Sequence, residues 1–138
     1  MLTAETAALS EATTVIRAAY EAWNRGSAVG LQDVLDPSID CSWVTRGGAT
    51  ERMRGSAVAL DRAQREWARR FVHVSLRQLI ASDEDVVALV HVTYRPAPLG
   101  PARSAPALHL WTVRDRRVVS FTARPLRVEP LGSWTPSC

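Results

Sequence analysis

His109 and Trp111 stand two residues apart in ALHLWTVRDRRVVSFTA, residues 107–123, a stretch patterned as a strand, a charged turn and a second strand. Alternate side chains of a strand point to opposite sides. Ala107, His109, Trp111 and Val113 therefore share one face, Leu108, Leu110 and Thr112 the other, and Asp115-Arg116-Arg117 turns the chain into Val118–Phe121. An imidazole beside an indole on an otherwise apolar face suits a pocket wall. With a reference pKa of about 6.5, the imidazole can donate or accept a proton near neutrality. A second histidine, His91, sits in the apolar run Val86–Tyr94 and shares its parity with Val87, Leu89 and Thr93.

Other chemistries find less support. All 17 basic residues are arginine, so a lysine Schiff base is excluded. The arginines are scattered, with short clusters at Arg69-Arg70 and Arg114–Arg117, and no basic run is interleaved with aromatics; a net charge of +3 then predicts no nucleic-acid partner. Cys41 and Cys138 lack the spacing of a disulfide framework or zinc site, and nothing activates Cys41 as a nucleophile. Most carboxylates fall on an exposed helix face (Glu5, Glu11, Glu21), in turns (Asp83–Asp85, Asp115) or in the tail (Glu129). Only Asp40 and Glu66 remain near the expected cavity; Asp40 alternates with the apolar residues of its strand and faces outward, and Glu66 adjoins Trp67 but sits off the apolar stripe of its helix, so a paired-carboxylate mechanism is not expected. His73 shares a face with Ser75 and Arg77 and reads as surface. The intervals separating His73, His91 and His109 are regular, but opposing parity sets His73 apart from the other two, and no metal or cofactor is predicted.

The elements that must position these residues follow from periodicity. Val15, Ile16, Ala19, Tyr20 and Trp23 recur at helical intervals within residues 4–25, and Gly26 supplies the stop. A short helix over Val29–Leu35 ends at Asp36-Pro37. Ile39, Cys41 and Trp43 alternate as a first strand, broken by Gly47-Gly48. A longer helix follows Gly55, with Ala57, Leu60, Ala63, Trp67 and Phe71 as its stripe. Val72, Val74, Leu76 and Ile80 then oppose His73, Ser75 and Arg77, with Asp83-Glu84-Asp85 as the next turn. Val86–Tyr94 is apolar on both faces, which predicts that the outer face of the sheet is covered too, most simply by a second subunit in a homodimer. Arg95–Pro106, rich in proline, is expected as a long rim loop, and the chain from Pro125 as a proline-punctuated tail. Length and a 46% hydrophobic share predict one domain over residues 1–138 with its core at about 10–125. MLTAETAALSEA does not read as an export signal and no apolar run is long enough to span a bilayer, so a soluble cytoplasmic protein without membrane contact is expected.

This order of helix, short helix, strand, helix and antiparallel meander resembles the SnoaL-like branch of the nuclear transport factor 2-like superfamily, which includes ketosteroid isomerases, scytalone dehydratase and polyketide cyclases. The carriers are Tyr20-Glu21-Ala22-Trp23-Asn24-Arg25-Gly26, Gly55, Asp85-Val86-Val87-Ala88-Leu89-Val90, and His109-Leu110-Trp111-Thr112-Val113-Arg114-Asp115 with Val118-Val119. The resemblance implies an α+β cone-shaped barrel, a strongly bent antiparallel sheet wrapped around three N-terminal helices with an internal pocket. It places the acid that ketosteroid isomerases carry on the penultimate strand at His109, their helix-1 tyrosine near Ala19 and their carboxylate base near Trp43, so steroid isomerase chemistry does not carry over. It also puts His91 on the concave side with His109.

On that arrangement His109 and His91 are the candidate catalytic groups, gripping one carbonyl or hydroxyl between them or dividing proton removal and delivery. Trp23, Trp43, Trp67, Trp111, Tyr20, Thr93, Leu89 and Phe121 are the candidate binding residues for a flat, hydrophobic small molecule, with Tyr94 at the edge. Each of these aromatic residues, and His109 and His91 too, is also at home as core packing. Three functions stay open: a cofactor-independent enzyme cyclising, isomerising or dehydrating a polyketide-like aromatic; a binder that leaves its ligand unchanged; and a dimeric association module with a filled interior.

Overall fold

Helix α1, Ala4–Arg25, ends where the periodicity places its end. Gly26 takes a φ of +66°, its N–H reaches Trp23 O at 3.0 Å and the Ser27 N–H reaches Ala22 O at 2.9 Å. This double closure of the last turn needs a left-handed residue, for which glycine carries no Cβ penalty. Ser27 then caps α2, Ala28–Val34, by accepting from the Gly30 N–H. The computed structural model describes residues 4–44, 48–70, 72–95 and 100–126.

Strand β1, Leu35–Val44, begins directly after α2. It starts four residues before the expected alternation because Pro37 is accommodated where the register with its neighbour shifts, between Leu35 and Asp40. A strand that the sequence did not announce, β2 over Thr50–Arg54, returns along β1; it is short, polar and at the sheet edge, so it carries no apolar alternation. Gly55, at φ +100°, turns it into α3, Ser56–Arg70. The meander follows as β3 (His73–Ser82), β4 (Asp85–Tyr94), β5 (Arg103–Arg114) and β6 (Arg117–Pro125). The β5–β6 connection is a two-residue turn with positive φ at Asp115 and Arg116, the hand that matches strand twist.

The sheet order is β2-β1-β6-β5-β4-β3. It is mixed, because β1 runs parallel to β6, and open, with β2 and β3 as edges; the expected wholly antiparallel barrel is corrected in these two respects, while the α+β cone holds. Helix α1 lies against β3–β5 and α3 against β1 and β2. Ile16, Ile39, Val86, Val90 and Val118 are the largest side chains with essentially no exposure, each contributing about 1.5–3 kcal/mol by leaving water. No helix among the described residues is long and apolar enough to cross a membrane.

Three local expectations change. The register of β3 shifts between Leu76 and Gln78, so the extra residue swaps faces: Val74 and Leu76 point inward, Leu79 and Ala81 take over beyond the bulge, and Ile80 turns outward, 56% exposed. On α3, Ala57 is exposed and the inward residues include Ala59 and Ala63, while Phe71 lies outside the described residues. Arg103–Pro106 belongs to β5 instead of the rim loop. Pro106 is tolerated there because its carbonyl, accepting from the Leu126 N–H, points past the end of β6, where no strand needs a donor. Gly47, residues 96–99 and the tail beyond residue 126 lie outside the described residues.

Candidate functional site

Between α1, α3 and the inner face of the sheet is a cavity of about 480 Å³, within the range of small-molecule sites. Helix α1 contributes Ala19, Tyr20 and Trp23, strand β1 contributes Ile39, Cys41 and Trp43, and His109, Trp111 and Phe121 come from β5 and β6. Register explains the convergence: Trp111 lies opposite Phe121, and His109 follows two residues away on the same face.

One hydrogen-bonded chain marks the buried end. The Trp111 Nε1–H donates to Tyr20 Oη at 2.9 Å, and the same oxygen lies 2.7 Å from His109 Nδ1. Phe121 packs edge-on to the imidazole, with ring centroids 5.0 Å apart. Burial pushes the His109 pKa down to about 4 and raises that of Tyr20, partly offset by the indole hydrogen bond. At neutral pH both groups are uncharged, since desolvation penalises the charged form of each. The Cys41 thiol on the same wall is pushed up to about 11, first by burial and then by the Asp40 charge, and is no nucleophile.

Towards α3 the wall becomes polar. Ala59, Arg62, Ala63 and Glu66 occupy one helical face and line the cavity. The Arg62 guanidinium lies 3.9 Å from the Trp43 ring centroid, with Glu51 and Glu66 carboxylates at 3.7 and 3.8 Å. The Trp43 indole N–H donates to Glu51 at 2.8 Å. The sequence leaves Glu66 near the cavity but off the apolar stripe of its helix. Yet the cavity wall on α3 follows residues 59, 62, 63 and 66, and that i, i+3, i+4, i+7 spacing was the signal available for it. Asp40 faces away, as its alternation predicts, and pairs with Arg52 at 2.7 Å.

His109, Trp23, Trp43, Trp111, Tyr20 and Phe121 thus come together, with Tyr94 also on the wall. Trp67 reaches the site through its contact with Trp23, at 5.4 Å between ring centroids. The placement of His91, Leu89 and Thr93 is corrected. His109 pairs with Ala88 across β4–β5, so the inward parity of β4 is that of Ala88, Val90 and Val92, and all three expected residues lie on the opposite face. There His91 Nδ1 meets Ser104 Oγ at 3.3 Å. His73 is exposed and opposes Thr93, so it shares that outer face with His91; the sequence parity had grouped the wrong pair.

An open mixed sheet cradling helices around an aromatic cavity defines a pocket-bearing α+β cone. The sequence carries the matching family signature: the SnoaL-like domain matches residues 16–121, and the chain belongs to that family. No curated protein matches. Among solved structures it is similar to a candidate ketosteroid isomerase from Kribbella flavida DSM 17836, with a TM-score of 0.74 at 16% identity over 93% of this chain and 92% of that one. A candidate SnoaL-like polyketide cyclase from Jannaschia sp. CCS1 gives 0.73 at 12% identity, covering 84% and 85%. An epoxide hydrolase of M. tuberculosis, described as LEH-like, gives 0.73 at 16% identity, covering 85% and 79%. At such identities these likenesses establish the fold.

Proposed function

We propose that the protein is a small acid–base enzyme that cyclises, isomerises or dehydrates a flat, largely apolar, polyketide-like substrate. The observation that carries this reading is the neutral His109, hydrogen-bonded to Tyr20 at the buried, aromatic end of a cavity whose facing wall carries Glu66. In this mechanism His109 holds the substrate oxygen on which charge develops, and Glu66, on the facing wall, takes a proton from carbon and returns it. The two-histidine scheme is replaced, since His91 is on the other face of the sheet. Candidate cyclases and isomerases of the same fold give the reaction class its plausibility; the residues give it a mechanism.

Turnover of a panel of aromatic polyketones by His109→Ala and Glu66→Gln tests the proposal. Each is expected to fall by about 10² or more, and undiminished turnover in His109→Ala would refute it. A binder that leaves its ligand unchanged is favoured by one feature, the engagement of Glu66 with Arg62. Recovery of an unaltered, tightly held compound from the protein would decide for that function. The filled interior required by a pure association module is absent from the described residues.

We also propose that a second copy covers the outer sheet face, where Ile80, Val87 and Leu110 lie in one cross-strand row beside Leu89 and Leu108. Leu110→Arg should convert a dimer to a monomer in sedimentation experiments; a monomeric wild type would refute the proposal.

A further inference from the structure

The register of β3 against β4 brings together two histidines that the periodicity of the chain sets on opposite faces. His73 lies opposite Thr93 and Ser75 opposite His91, so His73 and His91 are diagonal neighbours on adjacent antiparallel strands, both on the outer face of the sheet. Such diagonal residues have Cα atoms about 7–8 Å apart and Cβ atoms somewhat closer, within reach of long side chains. Two imidazoles can therefore converge on one ion, whose bonds to nitrogen run to about 2.0–2.1 Å. His73 is exposed and its ring has no partner among the described residues. The His91 ring has one: Nδ1 lies 3.3 Å from Ser104 Oγ on β5. Metal-binding histidines commonly present their second ring N–H to an oxygen acceptor, which fixes the tautomer and holds the ring. With Nδ1–H donating to Ser104, the bare lone pair of His91 is on Nε2, the nitrogen remote from Ser104. Strand β5 flanks β4 on one side and β3, with His73, on the other.

We propose that His73 and His91 form a two-imidazole clamp for a divalent transition-metal ion such as Zn²⁺, with Ser104 orienting the His91 ring. Imidazole suits ions of the Zn²⁺, Ni²⁺ and Cu²⁺ class. Among the described residues no group of three His, Cys, Asp or Glu side chains is arranged to hold an ion, so the remaining coordination positions belong to water or to a donor from another molecule. Hard cations that require several oxygen ligands gain nothing there. The clamp is independent of the cavity, which lies on the other face of the sheet, and of the second copy proposed above. His91 stands four residues along β4 from Val87, about 13 Å from the centre of the apolar row, and both ligands belong to one chain. A bound ion ties β3, an edge strand paired only to β4, to its neighbour. Because the unfolded chain does not hold the two rings together, binding stabilises the fold by mass action.

Calorimetric titration of the full chain with zinc, nickel, copper and magnesium chlorides tests the clamp. Wild type is expected to bind one Zn²⁺ per chain, to bind Cu²⁺ more tightly than Ni²⁺, and to give no response to Mg²⁺. His73→Gln and His91→Gln should each weaken Zn²⁺ binding about tenfold or more, and Ser104→Ala about tenfold. Two histidines acting separately would instead leave the affinity of the remaining ring unchanged in each single variant, and that result overturns the clamp. So does Zn²⁺ uptake that is absent in wild type or undiminished in the double variant His73→Gln/His91→Gln. Wild-type affinity in Ser104→Ala overturns the orienting role of Ser104. Binding should persist in monomeric Leu110→Arg; its loss from that variant while folded overturns a site formed within one chain. Nitrogen NMR of histidine-labelled wild type with Zn²⁺ needs no variant to fold. The ring nitrogens of His73 and His91, including His91 Nε2, are expected to shift together and those of His109 to stay in place. A shift of His109 without the other two overturns the proposal.

Discussion

Replacing His109 by glutamine removes the buried one of the chain's three histidines, and the effect can be worked as a difference in stability between two pH values. In the folded chain the imidazole titrates at about 4 because burial penalises its charged form; unfolded, it titrates at about 6.5. Above the unfolded value both states hold the neutral ring and the group adds no pH dependence. As pH falls below it, the unfolded chain takes up the proton first, so folding loses stability steadily until the folded value is reached. The gap corresponds to about 3 kcal/mol by linkage, at a slope approaching 1.4 kcal/mol per pH unit. Urea unfolding of wild type and His109→Gln at pH 7.0 and 4.0 measures it. Titrations of the exposed carboxylates contribute equally to both proteins and cancel, and neither Cys41 nor Tyr20 titrates in this window. Wild type should lose about 3 kcal/mol more than the variant between the two pH values. A double difference below about 1 kcal/mol would refute the buried neutral imidazole, and with it the electrostatic basis of the site.

Further outcomes follow from other contacts. Asn24 stands in for a missing strand at the sheet edge, donating to Val74 O and accepting from Val74 N–H, both at 2.8 Å; Asn24→Ala should cost about 1–2 kcal/mol in urea unfolding, and Asn24→Asp, which keeps only the acceptor, should fall between. A Cβ on Gly30 would lie 2.9 Å from the Ala22 Cβ, where α1 and α2 meet, so Gly30→Ala should destabilise by about 1–3 kcal/mol; an unchanged unfolding midpoint would contradict that close approach. With its thiol pushed up to about 11, Cys41 should resist iodoacetamide at pH 8 in native protein and react once urea unfolds it, as followed by peptide mass spectrometry.

Local order was legible wherever one residue pattern served one face. The α1 stripe from Val15 to Trp23, the Gly26 stop, the inward parity of Ile39-Cys41-Trp43 and of His109-Trp111, and the turn at Asp115-Arg116 all stand in the chain as read. Periodicity reports which side chains travel together along an element. It therefore determined that an imidazole and an indole share a wall, and that an aromatic helix accompanies them. It does not report which of two apolar faces is concave, and Val86–Tyr94 offers both. Only pairing decided that: Ala88 opposite His109 turns His91, Leu89 and Thr93 outward, and one bulge at β3 sends Ile80 to the same outer side. The Tyr20–His109–Trp111 relay joins residues 89 and 91 positions apart, and the placement of Glu66 on the cavity wall depends on how α3 lies against β1. Such contacts arise from the register between elements, a property of the packed sheet that no single segment encodes.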